Sequence, residues 1–356
     1  MAWMTASSAL AQTPANVQLD VWSGKGYQPC EPSIAMDPTD PNVVVAGSIL
    51  DNVYRSSDGG ATWTKDQLTS PLGVFGDPCV VAGPTGDFYF LHLSDPEGKG
   101  WSSEALLDRI VCQRSKNGGK SWSKGGGMGL APPKDQDKEW AVVSPDGQSI
   151  HACWTQFDKY GSELPGDSTV ILCSSSNAKG KVWSEPVRVS DKAGDCLDGD
   201  GTAEGAVPAV GVNGEVYVAW ALGPWIYFDK SLDAGRTWSE EDRIVADIVG
   251  GWDQNIDGIG RVNGMPVTVV DHSNGPHRGR IYINWTDTRN GDSDVWLTHS
   301  DDGGETWSPT QRLNTDGPER DQFFTWMTVD TERGDVHVVF YDRRHNQSKE
   351  DRSTHV

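Results

Sequence analysis

An eight-residue turn that repeats along the chain constrains its fold more than any other feature. The copy at residues 300–307 reads SDDGGETW. Near copies read SSDGGATW (56–63), SKNGGKSW (115–122), SSNAKGKVW (175–183, with one extra residue) and SLDAGRTW (231–238). Their closing tryptophans recur every 55 to 69 residues. Self-similarity at a fixed period predicts an array of equal structural units.

The segments between the turns predict short β-strands. Each unit has a run of alternating pattern that is rich in β-branched and aromatic residues, as in EVYVAW (215–220) and RIYINW (280–285). A further run precedes it across a turn of Pro, Gly or Asp residues, and two more flank the eight-residue turn. Each unit therefore predicts a four-stranded antiparallel meander. Six units predict an all-β protein, a six-bladed β-propeller of four-stranded antiparallel blades.

The two ends of the chain are expected to differ from the blades. Residues 1–15 contain small residues that resemble a cleavage site, and they predict a signal-peptide remnant or a disordered terminus. Residues 16–356 are expected to form the single propeller domain. The last unit has no eight-residue turn of its own. Either the run NVQLDVW (16–22) supplies a strand to the last blade, or that blade is truncated.

Charge and cysteine content limit the partners and the compartment. A formal charge of −21 argues against nucleic acid, because phosphate binding needs a basic surface. No apolar run reaches the ~20 residues of a membrane helix, so we expect no membrane insertion, and we expect a monomer. Six cysteines, an even number, favour a secreted or periplasmic protein with disulfides. We expect a Cys30–Cys79 bridge, because both residues precede first strands of adjacent blades.

The chemistry of the repeated turn predicts a structural role. Asp302 can accept hydrogen bonds within its own turn, and Trp307 can pack between neighbouring sheets. The pattern S-x-D-x-G-x-T-W resembles the Asp-box, or bacterial neuraminidase repeat, of sialidase-like six-bladed propellers. The resemblance spans nearly the whole chain and implies the fold. It leaves the activity open, because such propellers include sialidases, other glycosidases, polysaccharide lyases and non-enzymatic receptors.

The topology of a four-stranded meander separates the repeated turns from the long loops. The turns join strands 3 and 4 and lie on one face, so we expect the functional site on the opposite face. Acidic residues that begin the first strands should converge there near the axis: Glu31, Asp77, Asp137, Glu139, Glu204 and Asp321. Such a ring could supply a general acid, a base and a nucleophile, or it could bind a cation or bracket trapped water.

Two second strands end in matching Asp–Arg pairs. The segment 285–289 (WTDTR) aligns with 340–344 (FYDRR). Either each Asp–Arg pair ties down its own loop, or the arginines bind a substrate carboxylate. We predict catalytic roles for Tyr341, Glu204, Asp287 and Asp342. We predict substrate binding by Arg289, Arg343, Arg344, Arg261, Trp252, Asp137 and Glu139, with Trp252 either stacking on a sugar or filling the core of its own loop.

The resemblance implies a secreted protein that acts on glycans, but one departure argues against a true sialidase. The family places an arginine in an R-I-P motif before the first blade, where this chain has Glu31 in CEPSI (30–34). We therefore favour another glycoside hydrolase or a polysaccharide lyase, and the alternative is a non-catalytic propeller that binds glycans or proteins. No cofactor or catalytic metal is expected. Structural Ca²⁺ is possible in DCLDGDG (195–201) or NGDSD (290–294).

Overall fold

The structure, a computed structural model, describes residues 16–346 and 351–356 and is built almost entirely of β-strands. The predicted signal remnant at 1–15 lies outside these residues. One 3-10 helix, Gly100–Ser102, interrupts a long loop. Across the described ranges, no helix has the length and apolar character needed to cross a bilayer.

Five antiparallel sheets of four strands each confirm the predicted meanders. The first contains β1 (Ser33–Met36), β2 (Val44–Ser48), β3 (Asn52–Ser56) and β4 (Thr64–Gln67). The second contains β5 (Cys79–Ala82), β6 (Phe88–Leu93), β7 (Ile110–Ser115) and β8 (Gly126–Met128). The third contains β9 (Asp135–Val143), β10 (Ser149–Phe157), β11 (Thr169–Asn177) and β12 (Val187–Arg188). The fourth contains β13 (Glu204–Val210), β14 (Val216–Leu222), β15 (Trp225–Ser231) and β16 (Arg243–Asp247). The fifth contains β19 (Val267–Val270), β20 (Ile281–Asp287), β21 (Asp294–Ser300) and β22 (Gln311–Arg312).

Two further sheets have only two strands each. A small hairpin of β17 (Asp253–Gln254) and β18 (Val262–Asn263) lies between the fourth and fifth sheets along the chain. The last unit pairs β23 (Gln322–Val329) with β24 (Val336–Asp342). Asp342 also forms an isolated bridge with His355, so the terminal residues return along the edge of β24.

The first strands of successive units pack side by side. Strand β1 contacts β5, β5 contacts β9, β9 contacts β13, β13 contacts β19 and β19 contacts β23. Strands two, three and four of each sheet extend away from this inner row. A radial array of meanders around an inner row of first strands is the architecture of a β-propeller.

Residues 16–22, predicted as a possible strand of the last blade, form no strand. They contact the first sheet instead, because the Asp20 carboxylate accepts a hydrogen bond from Tyr54 at 2.6 Å and pairs with Lys65 Nζ at 2.6 Å. In the last unit the apolar side chains of Trp326, Val339 and Tyr341 are at least one third exposed.

The second strands are more buried than their alternating sequences imply. Every residue of β6 and β20 is buried, on both faces of the sheet. The reason is that each inner sheet is covered by a neighbour on either side, so the polar positions of these strands also face protein. Asn284, for example, is fully buried and donates to Thr325 Oγ1 at 2.5 Å.

The contacts of the repeated turn support its predicted structural role. Asp302 accepts hydrogen bonds from the Thr306 amide at 2.9 Å and the Thr306 hydroxyl at 2.6 Å. Ser300 Oγ accepts the Gly304 amide at 2.9 Å, and Trp307 packs edge-on against Phe228 of the preceding sheet. In the second, third and fourth copies Gly119, Gly180 and Gly235 also approach the preceding sheet, so the turns from the second copy onward fix the spacing of two neighbouring sheets.

The predicted Cys30–Cys79 bridge is wrong. Both thiols are free, and the one disulfide among the described residues joins Cys153 and Cys173. Those two residues face each other directly in the register of β10 and β11. Cys79 packs among residues of the second and third sheets, including Ala141, whereas Cys30 is exposed ahead of β1. Adjacent strand starts therefore do not imply that the side chains point toward each other.

Candidate active site

Five units have a residue in the left-handed backbone region just before the first strand or within its first four residues. These residues are Glu31 (φ 52°), Asp77 (φ 49°), Lys138 (φ 54°), Gly205 (φ 84°) and Phe324 (φ 51°). In β9, β13 and β23 the pairing register with the second strand also shifts at this point. Bulges of this kind re-aim side chains and are common beside active sites, where backbone strain concentrates. The propeller therefore directs a ring of side chains to the face opposite the repeated turns.

Lys138 is the cation at the centre of this ring. Its Nζ lies 3.1 Å from Asp77 Oδ2 and 3.8 Å from Glu31 Oε1, and its side chain is only 14% exposed. Burial by itself lowers the pKa of Lys138, but the charges of Asp77 and Glu31 outweigh burial and raise that pKa well above its usual value. Lys138 is therefore charged at every physiological pH.

Glu31 combines an accessible side chain with a perturbed titration. Its side chain is 41% exposed. Desolvation and the neighbouring Asp77 raise the pKa of Glu31 to about 7, although the charge of Lys138 acts in the opposite direction. A carboxyl group with a pKa near neutrality can give up and take back a proton under working conditions.

The floor of the ring consists of buried acids. Glu204 and Glu139 are almost completely buried, and neither carboxyl oxygen of either residue has a hydrogen-bond partner within the described chain. Burial raises the pKa of both groups well above the ordinary range. Burial and the charge of Asp77 also raise the pKa of Asp137 to about 8. The raised pKa values reflect the cost of burying a charged carboxyl group without a partner.

A second cation stands at the rim. Arg261 Nη2 contacts both oxygens of Asp198, at 2.5 and 2.6 Å, and Tyr160 donates its hydroxyl proton to the same carboxylate. The charge of Arg261 also acts on Glu204, so this rim belongs to the same electrostatic unit as the floor. The Arg261 side chain is half exposed and can reach a ligand.

The ring thus brings together six of the residues singled out in the sequence: Glu31, Asp77, Asp137, Glu139, Glu204 and Arg261. Lys138, Asp198 and Tyr160 were missed. Lys138 had a detectable signal, because in DQDKEW (135–140) it is the one base among the aligned acidic strand starts. Tyr160 and Asp198 lie in loops of different length. Aligning the strands therefore does not identify these two residues as equivalent or neighbouring.

The matching Asp–Arg pairs tie down their own loops. Asp287 is completely buried and accepts hydrogen bonds from Arg289 and from the Trp285 indole at 2.8 Å. The Arg289 guanidinium also lies over the Trp296 ring, 4.3 Å from its centroid. A guanidinium held between a carboxylate and an aromatic ring has little capacity left for a substrate carboxylate.

The second pair behaves in the same way. Arg344 donates from its backbone amide and its side chain to Asp342, which also accepts from Gln322 at 3.0 Å. Arg343 is buried and donates to the backbone oxygen of Asp257 at 2.8 Å. The catalytic roles predicted for Asp287 and Asp342, and the binding roles predicted for Arg289, Arg343 and Arg344, therefore find no support in these contacts.

Three more of the predicted residues make their contacts with residues outside the ring around Lys138. They are Tyr341, Trp252 and Asp321. The Tyr341 ring stacks on Phe323 in the last unit. Trp252 is 1% exposed and donates its indole N–H to the backbone oxygen of Thr202, so it fills the core of its loop and has no free face for a sugar. Asp321 accepts hydrogen bonds from the amides of Ser293 and Arg343 and links the last unit to the fifth sheet.

In the loops predicted to hold Ca²⁺, acidic side chains already bind other groups of the protein. Asp198 binds Arg261 and Tyr160, and Asp195 accepts hydrogen bonds from Leu197 and Thr202. In the other loop Asp294 pairs with Arg312. Within residues 16–346 and 351–356, no group of three or more His, Cys, Asp or Glu side chains is arranged to hold a metal ion. Structural calcium stays a prediction.

The comparisons with known proteins agree with the fold. The model of the BNR/Asp-box repeat family matches residues 298–309, which contain the last repeated turn. An α-L-arabinofuranosidase from Fusarium graminearum, solved with an iminosugar inhibitor, is 14% identical, with 88% of each chain covered and a TM-score of 0.55. An α-L-arabinanase from Penicillium chrysogenum, solved with arabinobiose, is 14% identical, with 88% of each chain covered and a TM-score of 0.52.

A third similar structure is an ulvan lyase, a polysaccharide lyase bound to a GlcA–Rha3S saccharide. It is 14% identical and has a TM-score of 0.52, and the match covers 88% of this chain and 76% of the lyase. At this identity the likeness concerns the fold. The chain therefore carries the BNR/Asp-box repeat and has the β-propeller fold that these glycan-active enzymes share.

Proposed function

We propose that this protein is a glycoside hydrolase that cleaves glycans by acid–base catalysis at the ring around Lys138. The observation that carries the proposal is Glu31, an accessible carboxyl group with a pKa near 7, placed beside Asp77 and Lys138. Glycosidases use two carboxyl groups, one protonated and the other ionised. The similar arabinanase and arabinofuranosidase lend support at the level of the fold.

The proposed roles follow from the surroundings of each group. Glu31 donates its proton to the glycosidic oxygen as the bond to the sugar breaks. Asp77, which pairs with Lys138, takes a proton from the attacking water. The proton then returns from Asp77 to Glu31, since the two carboxyl groups are neighbours, and the site is restored. Arg261 at the rim donates hydrogen bonds to sugar hydroxyl groups.

The charge distribution favours neutral glycans over sialic acid or uronic acids. Arg289 and Arg344, the candidates for a carboxylate clamp, are committed to Asp287 and Asp342. A Glu stands where the sialidases that this chain resembles place an arginine. A substrate carboxylate would therefore find no free arginine cluster.

Two further proposals concern the whole domain. We propose that β23 and β24 are the inner strands of a sixth blade, because β23 continues the inner row of first strands. We also propose that the protein works outside the cytoplasm, where the Cys153–Cys173 disulfide persists.

The test is a screen of the full chain on neutral aryl glycosides and on arabinan, with ulvan and sialosides as anionic substrates. Glu31→Gln and Asp77→Asn should each lower turnover of the unactivated substrates by at least ~100-fold. Asp66→Asn is the matched control, because Asp66 pairs with Arg55 on the outer strands of the first sheet, away from the ring. Equal turnover in all variants would refute the roles. Glycan binding without turnover on any substrate would favour the non-catalytic module.

A further inference from the structure

We propose that Trp101 and Tyr160 form an aromatic platform that binds a sugar ring of the glycan next to the ring of carboxyl groups. The inference deepens the proposed function and rests on it for the class of ligand. It assigns a binding role to Trp101, which no sequence pattern singled out, in place of the buried Trp252.

The first support is an exposed indole that rests on other aromatic rings. Trp101 is 63% exposed. Its ring meets Phe75 edge-on at 5.9 Å between centroids and lies tilted against Tyr160 at 5.6 Å, and Tyr160 in turn contacts Phe157. Rigid Trp and Tyr rings that rest on other aromatic rings are typical binding anchors.

The second support is the ordered loop that presents Trp101. The Asp95 carboxylate accepts the amides of Lys99 and Gly100 at 3.1 and 2.9 Å, and the 3-10 turn Gly100–Ser102 follows immediately. Gly100 has a φ of 54°, and a Cβ there would lie 3.4 Å from the Phe75 ring. Because the backbone is already fixed, binding through Trp101 costs little additional conformational entropy.

The third support is the link from the platform to the proposed catalytic groups. The Tyr160 hydroxyl binds Asp198, which pairs with Arg261. The Tyr160 amide donates to Asp135 Oδ2 at 2.8 Å, and Asp135 begins β9, the strand that carries Lys138. The platform is therefore fixed relative to the ring by hydrogen bonds on both sides of Tyr160.

A cleft of about 570 Å³ opens in the same loop, directly after Trp101 in the chain. Ser102, Ser103 and the ion pair of Asp108 with Arg109 line it, and Arg109 Nη2 lies 2.6 Å from Asp108 Oδ2. Hydroxyl, carboxylate and guanidinium groups suit the hydroxyl groups of a sugar, while the indole face suits its C–H face. The cleft and Trp101 are therefore neighbours along this loop.

Binding can be measured without catalysis by affinity electrophoresis of the full chain in gels that contain soluble arabinan. Trp101→Ala should raise the dissociation constant for arabinan about tenfold, as expected for loss of an aromatic anchor. Trp101→Phe should restore most of the affinity, because it keeps a flat ring. Trp22→Ala is the matched control, since Trp22 is also exposed but precedes the first sheet.

The outcomes separate this inference from the proposed function. Arabinan binding that is equal in Trp101→Ala and the unmodified protein would overturn the platform. The platform is equally refuted if Trp22→Ala weakens binding as much as Trp101→Ala, or if gels with arabinan retard no variant. Binding that depends on Trp101, with no turnover of any glycan, would uphold the platform and refute the hydrolase.

Discussion

At the scale of single residues, the proposed chemistry depends on Lys138. The carboxyl groups of Asp77 and Glu31 flank its ammonium group. Three further acids lie nearby, and burial raises the pKa of each of them. The sequence predicted the acids but not the cation among them. Aligning the strand starts shows which residues lie at equivalent places in the blades. It does not show which side chains pair, because bulges in the folded strands change the direction of the side chains.

Replacing Lys138 by Met should destabilise the protein strongly at neutral pH. The substitution keeps the length of the side chain but leaves Asp77 and Glu31 without their partner. We expect a loss of about 3 kcal/mol in the free energy of unfolding at pH 7.5, as for broken buried ion pairs. At pH 5 the loss should be smaller, because Glu31 is then protonated. Chemical denaturation at pH 7.5 and pH 5 measures both losses. The control is Lys99→Met, which removes an exposed ion pair with Glu97 and should leave the free energy of unfolding unchanged at both pH values.

The stability of the protein should fall as the pH rises from about 6.5 to 8, above the window in which buried His92 and His151, with pKa values lowered to about 4, act in the opposite direction. The folded state raises the pKa of Glu31 to about 7 and that of Asp137 to about 8, from ordinary values of 4.5 and 3.8. Between the ordinary and the raised values the folded protein binds more protons than the unfolded chain, so each pH step upward favours unfolding. Thermal unfolding across this range tests the sign. Glu31→Gln should flatten the slope, and stability that rises toward pH 8 would contradict the assignment.

At the scale of elements, the repeated turn is best understood as a spacer between sheets. Its Asp, Ser and Thr close the turn, and its last glycine lies against the preceding sheet. The sequence predicted this role and the strands on either side, since local patterns encode both. It did not predict that the second strands would be buried on both faces, because burial depends on neighbours distant in sequence.

Two adjacent glycines allow the spacer role to be tested. A Cβ at Gly304 would lie 2.2 Å from the Phe228 ring, whereas a Cβ at Gly303 would meet nothing closer than 3.7 Å. Both residues have positive φ, so alanine is strained at each by about 1–2 kcal/mol. Gly304→Ala should therefore lower the melting temperature clearly more than Gly303→Ala. Equal shifts would mean that backbone strain alone, and not packing on the fourth sheet, explains the glycine.

At the scale of the whole molecule, the propeller separates its structural face from its chemical face. The repeated turns occupy one face, while the strand starts with Glu31, Asp77 and Lys138 occupy the other. The sequence predicted this separation from topology alone. It could not choose between a catalytic and a structural role for each Asp–Arg pair, because aligned positions do not reveal which partner an arginine contacts.

The proposed role of Glu31 as the general acid of a glycoside hydrolase can be tested directly by the pH dependence of kcat/KM. The unmodified protein and Glu31→Gln would be compared on a glycoside whose nitrophenol leaving group needs no protonation and on its unactivated counterpart. For the unactivated substrate we expect an alkaline limb with an apparent pKa near 7. The variant should turn over only the activated substrate, without that limb. Retention of the same limb in Glu31→Gln would contradict the proposed role.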